Sequence, residues 1–288
     1  MKRYKKETCD TLEIGHVYYN RRFELTVDKN LCKGCVICKL ICPREAITLK
    51  ESSKGSDGRA ITPTVDIDEN KCDFHGICAV ACPFSAIKIT IDGKKEIPAV
   101  EKGVFPVLTR DIEIDSSKCE QSCKKCEEKC PLGIISVKFE SSSKGDDSKT
   151  VVDVNKELCA GCQICWEECP TDALKVTKFY DGSIRINQEL CPETCQSCLD
   201  VCPVNALYLG DDKKVYINDN NCIYCGTCET VCPKPEALDI KRISVRHSPI
   251  DSGAWNKGLE KITSTEALNK ELAAKRADKV RAAVNNLK

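Results

Sequence analysis

A pattern of closely spaced cysteines ending in proline occurs six times in this chain of 288 residues. The first copy, CKGCVICKLICP at residues 32–43, has the spacing Cys-x2-Cys-x2-Cys-x3-Cys-Pro. Each copy is called a run here, and the later runs begin at Cys72, Cys119, Cys159, Cys191 and Cys222. Recurrence at intervals of tens of residues is typical of an internal repeat, so every run is expected to build the same local structure.

The spacing within a run indicates iron–sulfur chemistry. The same run holds a [4Fe–4S] cluster in bacterial ferredoxins, where three neighbouring thiolates bind one cluster and the fourth ligates the other cluster of a two-cluster unit. One run is therefore half of such a unit. We expect the fourth cysteine of each run to open a short helix and the following proline to turn the chain away.

The predicted ligands form six sets of four, which predicts about six [4Fe–4S] clusters. His75 stands where the second run should have a cysteine, and imidazole replaces thiolate in Rieske centres. The alternative is that His75 points away and leaves a three-iron cluster. Cys9 lies outside every run and is interpreted as a free thiol. With neighbouring runs paired in sequence order, the six sets are Cys32, Cys35, Cys38 and Cys82; Cys42, Cys72, His75 and Cys78; Cys119, Cys123, Cys126 and Cys169; Cys130, Cys159, Cys162 and Cys165; Cys191, Cys195, Cys198 and Cys232; and Cys202, Cys222, Cys225 and Cys228.

The segments between the runs predict an α+β fold of tandem two-cluster ferredoxin-like repeats with a C-terminal helix. Short alternating segments, such as residues 23–28 and 111–115, predict strands. The third and fifth runs share a first gap of three residues, as equivalent first halves of a repeat would. Sequential pairing is therefore favoured, and a nested pairing stays open.

The predicted division of the chain follows these repeats. A hairpin is expected to turn at Tyr180, Asp181 and Gly182. The predicted parts are an N-terminal arm at 1–22, ferredoxin domain 1 at 23–95, a connector at 96–107, ferredoxin domain 2 at 108–180, ferredoxin domain 3 at 181–246 and a helical tail at 247–288.

Composition narrows the class of protein. The chain has 24 cysteines but only 2 tryptophans and 6 phenylalanines, so the clusters are expected to supply much of the core. Lysine plus arginine and aspartate plus glutamate balance at 44 each, which gives no basic field for nucleic acid. No apolar run reaches the roughly 18 residues of a membrane helix, and the N-terminus has no secretory signal. A cytoplasmic protein with reduced, metal-bound thiols is expected.

Other interpretations of the cysteines fit less well. Zinc needs four ligands, usually from two separated pairs, whereas triplets followed by x3-Cys-Pro suit cubic clusters. The wider first gap of the third and fifth runs also occurs in radical-SAM enzymes, but each triplet here has its own fourth cysteine in a short repeat. No nucleophile with a base and no glycine-rich phosphate loop is evident. The chain itself is therefore not expected to be an enzyme.

The C-terminal segment predicts a basic amphipathic helix. Thr263 followed by Glu266 has the pattern of a capping box. Residues 255–288 carry eight Lys or Arg against four Asp or Glu. The apolar positions expected on one side are Leu268, Leu272, Val280, Val284 and Leu287. We expect this helix to dock on a partner subunit, and a self-packed terminal helix is the alternative.

Features outside the cysteines point to one family. The segment CDFHGICAVACPFSAI and the later VFPVLTRDIEIDSSKCEQSCKKCEEKCP resemble the polyferredoxin iron–sulfur subunit of archaeal formylmethanofuran dehydrogenase, a tungsten or molybdenum enzyme. The connector FP-x-L-x-R-x-I-x-x-D-x-x-KC is the most specific part, and the resemblance covers roughly residues 25–243. His75 departs from the Cys-x2-Cys of that family.

The resemblance implies an archaeal electron-transfer subunit of methanogenesis. Such a subunit conducts low-potential electrons to catalytic subunits that reduce carbon dioxide to a formyl group on methanofuran. Its other partners would be ferredoxin or heterodisulfide reductase components. A polyferredoxin of a hydrogenase or of heterodisulfide reductase is the nearest alternative, and an iron–sulfur storage protein is a further one.

Overall fold

The computed structural model describes residues 1–141 and 148–264, together with Ala277. Its elements are mostly strands of two to eight residues and helices of four or five residues, as expected when loops and short helices surround a bound group. The α+β fold of tandem two-cluster ferredoxin-like repeats is confirmed, with the family match that supports it given below.

The first repeat, which contains the first two runs, is built on a five-stranded antiparallel sheet. The sheet order is β1-β2-β3-β8-β9. The strands are β1 (Lys2–Glu7), β2 (Thr11–Val17), β3 (Arg22–Asp28), β8 (Ile87–Ile91) and β9 (Lys94–Lys95). Residues 1–22, expected as a separate arm, supply its first two strands, with Leu12 and Ile14 fully buried beside Leu25. The alternation of apolar and polar residues in β2 explains this placement, because one face of the sheet is covered.

Two helices and two hairpins complete the first repeat. The helices are α1 (Ile37–Ile41) and α2 (Ile77–Ala81), one in each run. The strands β4 (Ile47–Leu49) and β7 (Val65–Ile67) pair antiparallel, as do β5 (Ser53–Lys54) and β6 (Ala60–Ile61). The helix α3 (Pro98–Glu101) then begins the connector to the second repeat.

The second repeat contains the third and fourth runs and has the same plan. Its first and last strands, β10 (Ile112–Ile114) and β13 (Leu174–Val176), pair with each other. The long hairpin of β11 (Ile135–Ser141) and β12 (Ser148–Val154) lies between the runs. The helices are α4 (Lys125–Lys129) and α5 (Ile164–Glu167), with 3-10 turns at Ser116–Lys118 and Lys156–Leu158 before the two runs.

The third repeat contains the last two runs. Its outer pair is β14 (Tyr180–Ile186) with β17 (Leu238–Val245), and its inner hairpin is β15 (Leu207–Leu209) with β16 (Val215–Ile217). Its helices are α6 (Ser197–Val201) and α7 (Thr227–Val231), and a 3-10 turn lies at Pro235–Ala237.

The hairpin turn expected at Tyr180, Asp181 and Gly182 is wrong, because these residues begin β14 and carry a β-bulge between Asp181 and Gly182. A side chain on Gly182 would come within 2.2 Å of the Lys241 carbonyl oxygen, so the residue is fixed by close backbone approach.

Strand pairing within the described residues follows the sequential order of the runs. In each repeat the strand before the first run pairs with the strand after the second: β3 with β8, β10 with β13, and β14 with β17. The two helices of a repeat also contact each other. A nested arrangement would pair strands of different repeats, and no such pair occurs in residues 1–141 and 148–264.

The last described helix, α8 (Gly253–Thr263), packs back onto the first repeat and onto β17. Ser252 caps it by accepting a hydrogen bond from the Trp255 backbone N–H, and the Trp255 side chain is 2 % exposed. The helix start expected at Thr263 is wrong, because Thr263 ends α8 and its hydroxyl donates to the Leu259 carbonyl. The rest of the predicted amphipathic stretch, from Glu266 to Leu287, lies outside the described residues apart from Ala277.

The buried apolar residues form a more continuous core than the few aromatic residues of the chain led us to expect. The largest group of buried apolar residues joins all three repeats and α8, including Ile37, Phe105, Tyr180, Val204 and Trp255. Separate smaller groups lie in the first and second repeats. Among the described residues no helix is both long and apolar enough to cross a membrane.

Candidate metal centres

The regular runs share one backbone conformation. In the first, second, fourth and sixth runs the residues on either side of the second ligand position, which is His75 in the second run and a cysteine in the others, both have positive φ. In the first run these are Gly34 (φ +61°) and Val36 (φ 54°). A side chain on Gly34 would come within 2.4 Å of the Pro63 carbonyl oxygen. Successive left-handed residues turn neighbouring N–H groups toward one side, a concave arrangement that holds anions and many iron–sulfur groups.

The wide third and fifth runs reach a related geometry differently. Positive φ occurs only before the second cysteine, at Ser122 and Thr194. The residues after it, Lys124 and Gln196, have φ near −120° and begin the helices α4 and α6. The wide runs, which have one more residue in the first gap, therefore have one left-handed residue beside the second cysteine instead of two.

The fourth cysteine lies after the short helix of its run, in contrast to the expectation that it would open one. Each helix contains the third cysteine, for example Cys38 in α1. In five of the six runs the fourth cysteine follows as an extended residue, such as Cys42 with ψ 113°. Proline is the physical reason, because its ring disfavours helical backbone at the residue before it.

Backbone N–H groups also reach the fourth cysteines. Three residues after Cys82, Cys169 and Cys202 stands a residue with positive φ, and the alanine that follows donates its N–H to the cysteine sulfur. The N···Sγ distances are 3.4, 3.3 and 3.3 Å. Donors aimed at sulfur stabilise the thiolate form that binds metal.

The structure gathers the predicted ligands into groups that surround small cavities. In the second repeat one cavity is lined by Cys130, Cys159, Cys162 and Cys165. Another is lined by Cys119, Cys123, Cys126 and Cys169. In the third repeat a cavity is lined by Cys191, Cys195, Cys198 and Cys232.

The remaining cysteines are grouped in the same way. Cys228 lies within electrostatic reach of Cys225, Cys222 and Cys202. In the first repeat Cys38 has Cys82, Cys78 and Cys32 as cysteine neighbours. Cys78 has Cys72, Cys42 and Cys82. The three cavities of the second and third repeats each combine the triplet of one run with the fourth cysteine of the other run in its repeat.

These sulfurs are arranged around a volume and do not converge on a point. In the part of the chain that is described, no three His, Cys, Asp or Glu side chains lie close enough to hold one metal ion. Four cysteines around a cavity, with N–H donors beside them, fit a larger group such as a [4Fe–4S] cluster. All 24 cysteines are free of disulfides, which leaves every sulfur available for this role.

Burial makes the thiols depend on a cationic partner. Loss of solvation raises the pKa of Cys72 and Cys162 to about 11, and that of Cys165 and Cys222 to about 12. A buried thiolate is unfavourable without compensating positive charge, which iron supplies when bound.

His75 stands at the expected place beside the second group, but its ring is engaged elsewhere. Its Nδ1 accepts a hydrogen bond from the Ile77 backbone N–H at 3.2 Å, and its Nε2 lies 3.3 Å from Asp73 Oδ1. Burial lowers the pKa of His75, which favours the neutral ring. Ligation through either nitrogen would replace one of these contacts.

Cys9 is exposed, and its thiol donates to Asp10 at 3.1 Å, away from every group of run cysteines.

The groups of different repeats meet at two places. Cys35 of the first run lies within electrostatic reach of Cys225 of the sixth run. At the other place Arg110 donates hydrogen bonds to the backbone carbonyls of Cys82 and Cys159, which belong to different repeats. Sequence reasoning assigned no role to Arg110, and its place in the unusual FPVLTR connector was the available signal.

Comparison with known proteins also finds three units of two runs each. The family model described as 4Fe-4S dicluster domain matches residues 31–86, 118–173 and 186–235, so each match spans two consecutive runs. Together with the 24 cysteines, these three matches fit about six [4Fe–4S] clusters.

Several proteins of known class are similar to the chain. One of the polypeptides of polysulfide reductase from Wolinella succinogenes is 29% identical over 206 residues, covering 69% of this chain and 82% of that protein. The polyferredoxin protein MvhB of Methanothermobacter marburgensis is 32% identical over 106 residues, or 34% of this chain and 24% of MvhB. The chain spans from about a quarter to about half the length of several curated relatives that it matches.

One solved structure is similar to this chain over almost the whole length of both polypeptides. It belongs to the formate dehydrogenase–heterodisulfide reductase–formylmethanofuran dehydrogenase complex from Methanospirillum hungatei. The TM-score is 0.78 at 29% identity, with 91% of each polypeptide covered.

Proposed function

The chain belongs to the 4Fe-4S dicluster domain family, and from that premise we propose that it is an electron-transfer polyferredoxin subunit of a larger oxidoreductase complex. The observation that supports the proposal is the close approach of runs from different repeats. Thr227 of the sixth run donates its hydroxyl hydrogen to the Lys33 carbonyl of the first run at 2.7 Å, and Arg110 donates to the backbone carbonyls of both Cys82 and Cys159. Conduction requires clusters that lie close together, whereas separate storage of clusters does not.

The residues of the chain hold and insulate the redox groups. Bound clusters supply one-electron chemistry, and the proposed ligands are the six sets of four given above, with His75 in the second set. The apolar residues around the groups limit solvent access, which together with N–H donors to sulfur sets the reduction potential. The proposed domain limits are those predicted from the sequence, with two changes. Residues 1–22 join the first domain because they form strands of its sheet, and Tyr180 joins the third because it begins β14.

The proposed complex is a formylmethanofuran dehydrogenase of the tungsten or molybdenum type. Its support is the likeness, over 91% of the chain, to a polypeptide of a complex that includes formylmethanofuran dehydrogenase, together with the FPVLTR segment. In this role the chain carries low-potential electrons to other subunits, where carbon dioxide is reduced to formyl-methanofuran. Ferredoxin or heterodisulfide reductase components would be the electron-donating partners.

A polyferredoxin of another complex is the second candidate. The observation behind this candidate is the similarity to MvhB, itself named a polyferredoxin, which covers 34% of the chain. The two candidates share cluster content and differ only in the partner.

Affinity purification of the tagged chain from its native host, followed by mass spectrometry, separates these candidates. Co-purification of formylmethanofuran dehydrogenase subunits supports the first, and hydrogenase subunits without them support the second. Reversible reduction of all clusters under anaerobic conditions tests conduction itself. Loss of iron on reduction would contradict electron transfer and support storage.

A further inference from the structure

Arg110 occupies an unusual position for a charged side chain. It lies two residues before β10, the first strand of the second repeat, which begins at Ile112. Its Nη1 donates to the Cys159 carbonyl oxygen, and its Nη2 donates to the Cys82 carbonyl oxygen at 3.3 Å and to Ser85 Oγ at 3.1 Å. One guanidinium therefore fixes the last cysteine of the second run against the first cysteine of the fourth run.

The surroundings of Arg110 leave its positive charge directed at the cysteines. The ring of Phe179 covers the guanidinium, with the Arg110 Cζ 5.2 Å from the ring centroid. Glu157 is near enough for its charge to act on Arg110, but its carboxylate pairs with Lys95 at 3.3 Å. The hydrogen bonds of Arg110 go to neutral oxygens, so they do not neutralise the cation. Arginine keeps its charge in proteins, so the charge persists at this boundary.

We propose that Arg110 is a positioning and potential-setting residue for electron transfer between the first and second repeats. Cys82 and Cys159 belong to two different proposed ligand sets. Reduction adds one electron to a cluster, and a fixed positive charge nearby stabilises the more negative form. Net charge and hydrogen bonding around the cluster are established determinants of its potential. Arg110 therefore raises the reduction potential of both flanking clusters and holds them at a fixed separation.

This inference rests on the proposed electron-transfer function and is tested in the full-length, cluster-loaded protein. The variant is Arg110→Gln, which removes the charge and keeps a hydrogen-bond donor. The measurement is an EPR-monitored redox titration, with iron content determined on the same samples. We expect two of the clusters to shift to lower potential, each by a factor of about 3 to 10 in the one-electron equilibrium constant, or about 28–59 mV.

Arg242 provides the matched control. Its guanidinium also donates to backbone carbonyls beside a run cysteine, those of Tyr224 and Cys225 at 2.7 and 2.6 Å. Those contacts lie within the third repeat only. Arg242→Gln should therefore shift the third-repeat cluster that includes Cys225 and leave the second-repeat cluster that includes Cys159, which responds to Arg110→Gln, unshifted.

The variant Arg110→Lys distinguishes the effect of the positive charge from the effect of the hydrogen bonds to the two carbonyls. Lysine keeps the charge but lacks the planar fork that reaches two carbonyls at once. We expect near-normal potentials in this variant, with faster hydrogen exchange of the backbone around Ser85 and Cys159.

Four outcomes would contradict the inference on Arg110 or the function on which it rests. Wild-type potentials in Arg110→Gln, or an equal shift of every cluster, would overturn the inference while leaving electron transfer intact. Loss of iron from both Arg110→Gln and Arg110→Lys would show that Arg110 has a purely structural role, and this result would also overturn the inference. Clusters of the unmodified protein that fail to reduce reversibly would instead refute the proposed function.

Discussion

Thr227 of the sixth run donates its hydroxyl hydrogen to the backbone carbonyl of Lys33 in the first run, at 2.7 Å across 194 residues of sequence. Thr227 is fully buried, and its neighbours in the run, Cys225 and Cys228, are buried as well. The hydroxyl of Tyr180 makes a similar bond to the Ala81 carbonyl at 2.7 Å. The first and third repeats therefore share a packed, hydrogen-bonded boundary, although the second repeat separates them in sequence.

Replacing Thr227 by valine tests this boundary. Valine has a similar shape but leaves the Lys33 carbonyl without its donor, and a buried unpaired group costs about 1–3 kcal/mol. We expect a lower unfolding temperature with unchanged iron content, measured by circular dichroism without oxygen. Thr230→Val is the control, because the Thr230 hydroxyl bonds only within α7, to the Thr227 carbonyl at 2.7 Å. Equal effects of the two substitutions would contradict a special role for the boundary.

A second prediction concerns the C-terminal helix α8. Trp255 packs edge-on against Phe105 at 5.2 Å between ring centroids, and its Nε1–H donates to His247 Nε2 at 3.1 Å. Trp255→Ala should therefore cost about 3–5 kcal/mol, as is usual for large-to-small changes in a core. A thermal melt would show this as a large fall in the unfolding temperature.

Truncation after Ser264 is the counterpart of that substitution, because it keeps α8 and removes only residues 265–288. We expect the unfolding temperature and iron content to be retained and co-purification of partner subunits to weaken. Unchanged co-purification would refute docking through this segment. A truncation after Ser252 would not test docking, since it also removes the buried Trp255.

The local structure of the runs was readable from the sequence, whereas the contacts between repeats were not. Spacing predicted each triplet, such as Cys32, Cys35 and Cys38, because ligands a few residues apart must share one loop. The bonds of Thr227 and Arg110 join segments that are far apart in sequence, and no spacing rule predicts them. The capping box predicted at Thr263 is wrong, because Thr263 lies in the last turn of α8, a helix that Ser252 caps. The predicted helix beyond Ser264 lies outside the described residues apart from Ala277.

Iron removal should affect the repeats unequally. The holoprotein is expected to contain about 24 iron atoms, from six clusters of four. The first repeat also has a five-stranded sheet with fully buried Leu12, Ile14 and Val27, whereas the second has only a small apolar group around Ile112 and Leu174. Metal binding and folding are coupled where the core is small. After anaerobic chelation, hydrogen exchange should therefore rise most in the second repeat and least in β2 and β3.

Two results would contradict that prediction. Uniform loss of protection would mean that the sheet has no stability of its own. Unchanged protection after complete loss of iron would mean that the clusters do not hold the runs. Stoichiometric zinc with little iron in the purified protein would refute the cluster assignment itself.

The last prediction concerns His75, which we expect to ligate the second cluster and to make it electronically distinct. A neutral imidazole in place of an anionic thiolate removes one negative charge, and histidine ligation raises the potential in Rieske centres. Burial lowers the pKa of His75, and the Ile77 N–H donates to its Nδ1, so the neutral ring is favoured although the Asp73 carboxylate lies beside Nε2. His75→Cys should therefore keep the iron content and move one cluster to lower potential in an EPR titration. Asp73→Asn, which removes a contact to Nε2 but not the ring, should keep the iron content and shift that same cluster less. A gain of iron in His75→Cys, with loss of a three-iron signal, would show that the histidine was never a ligand.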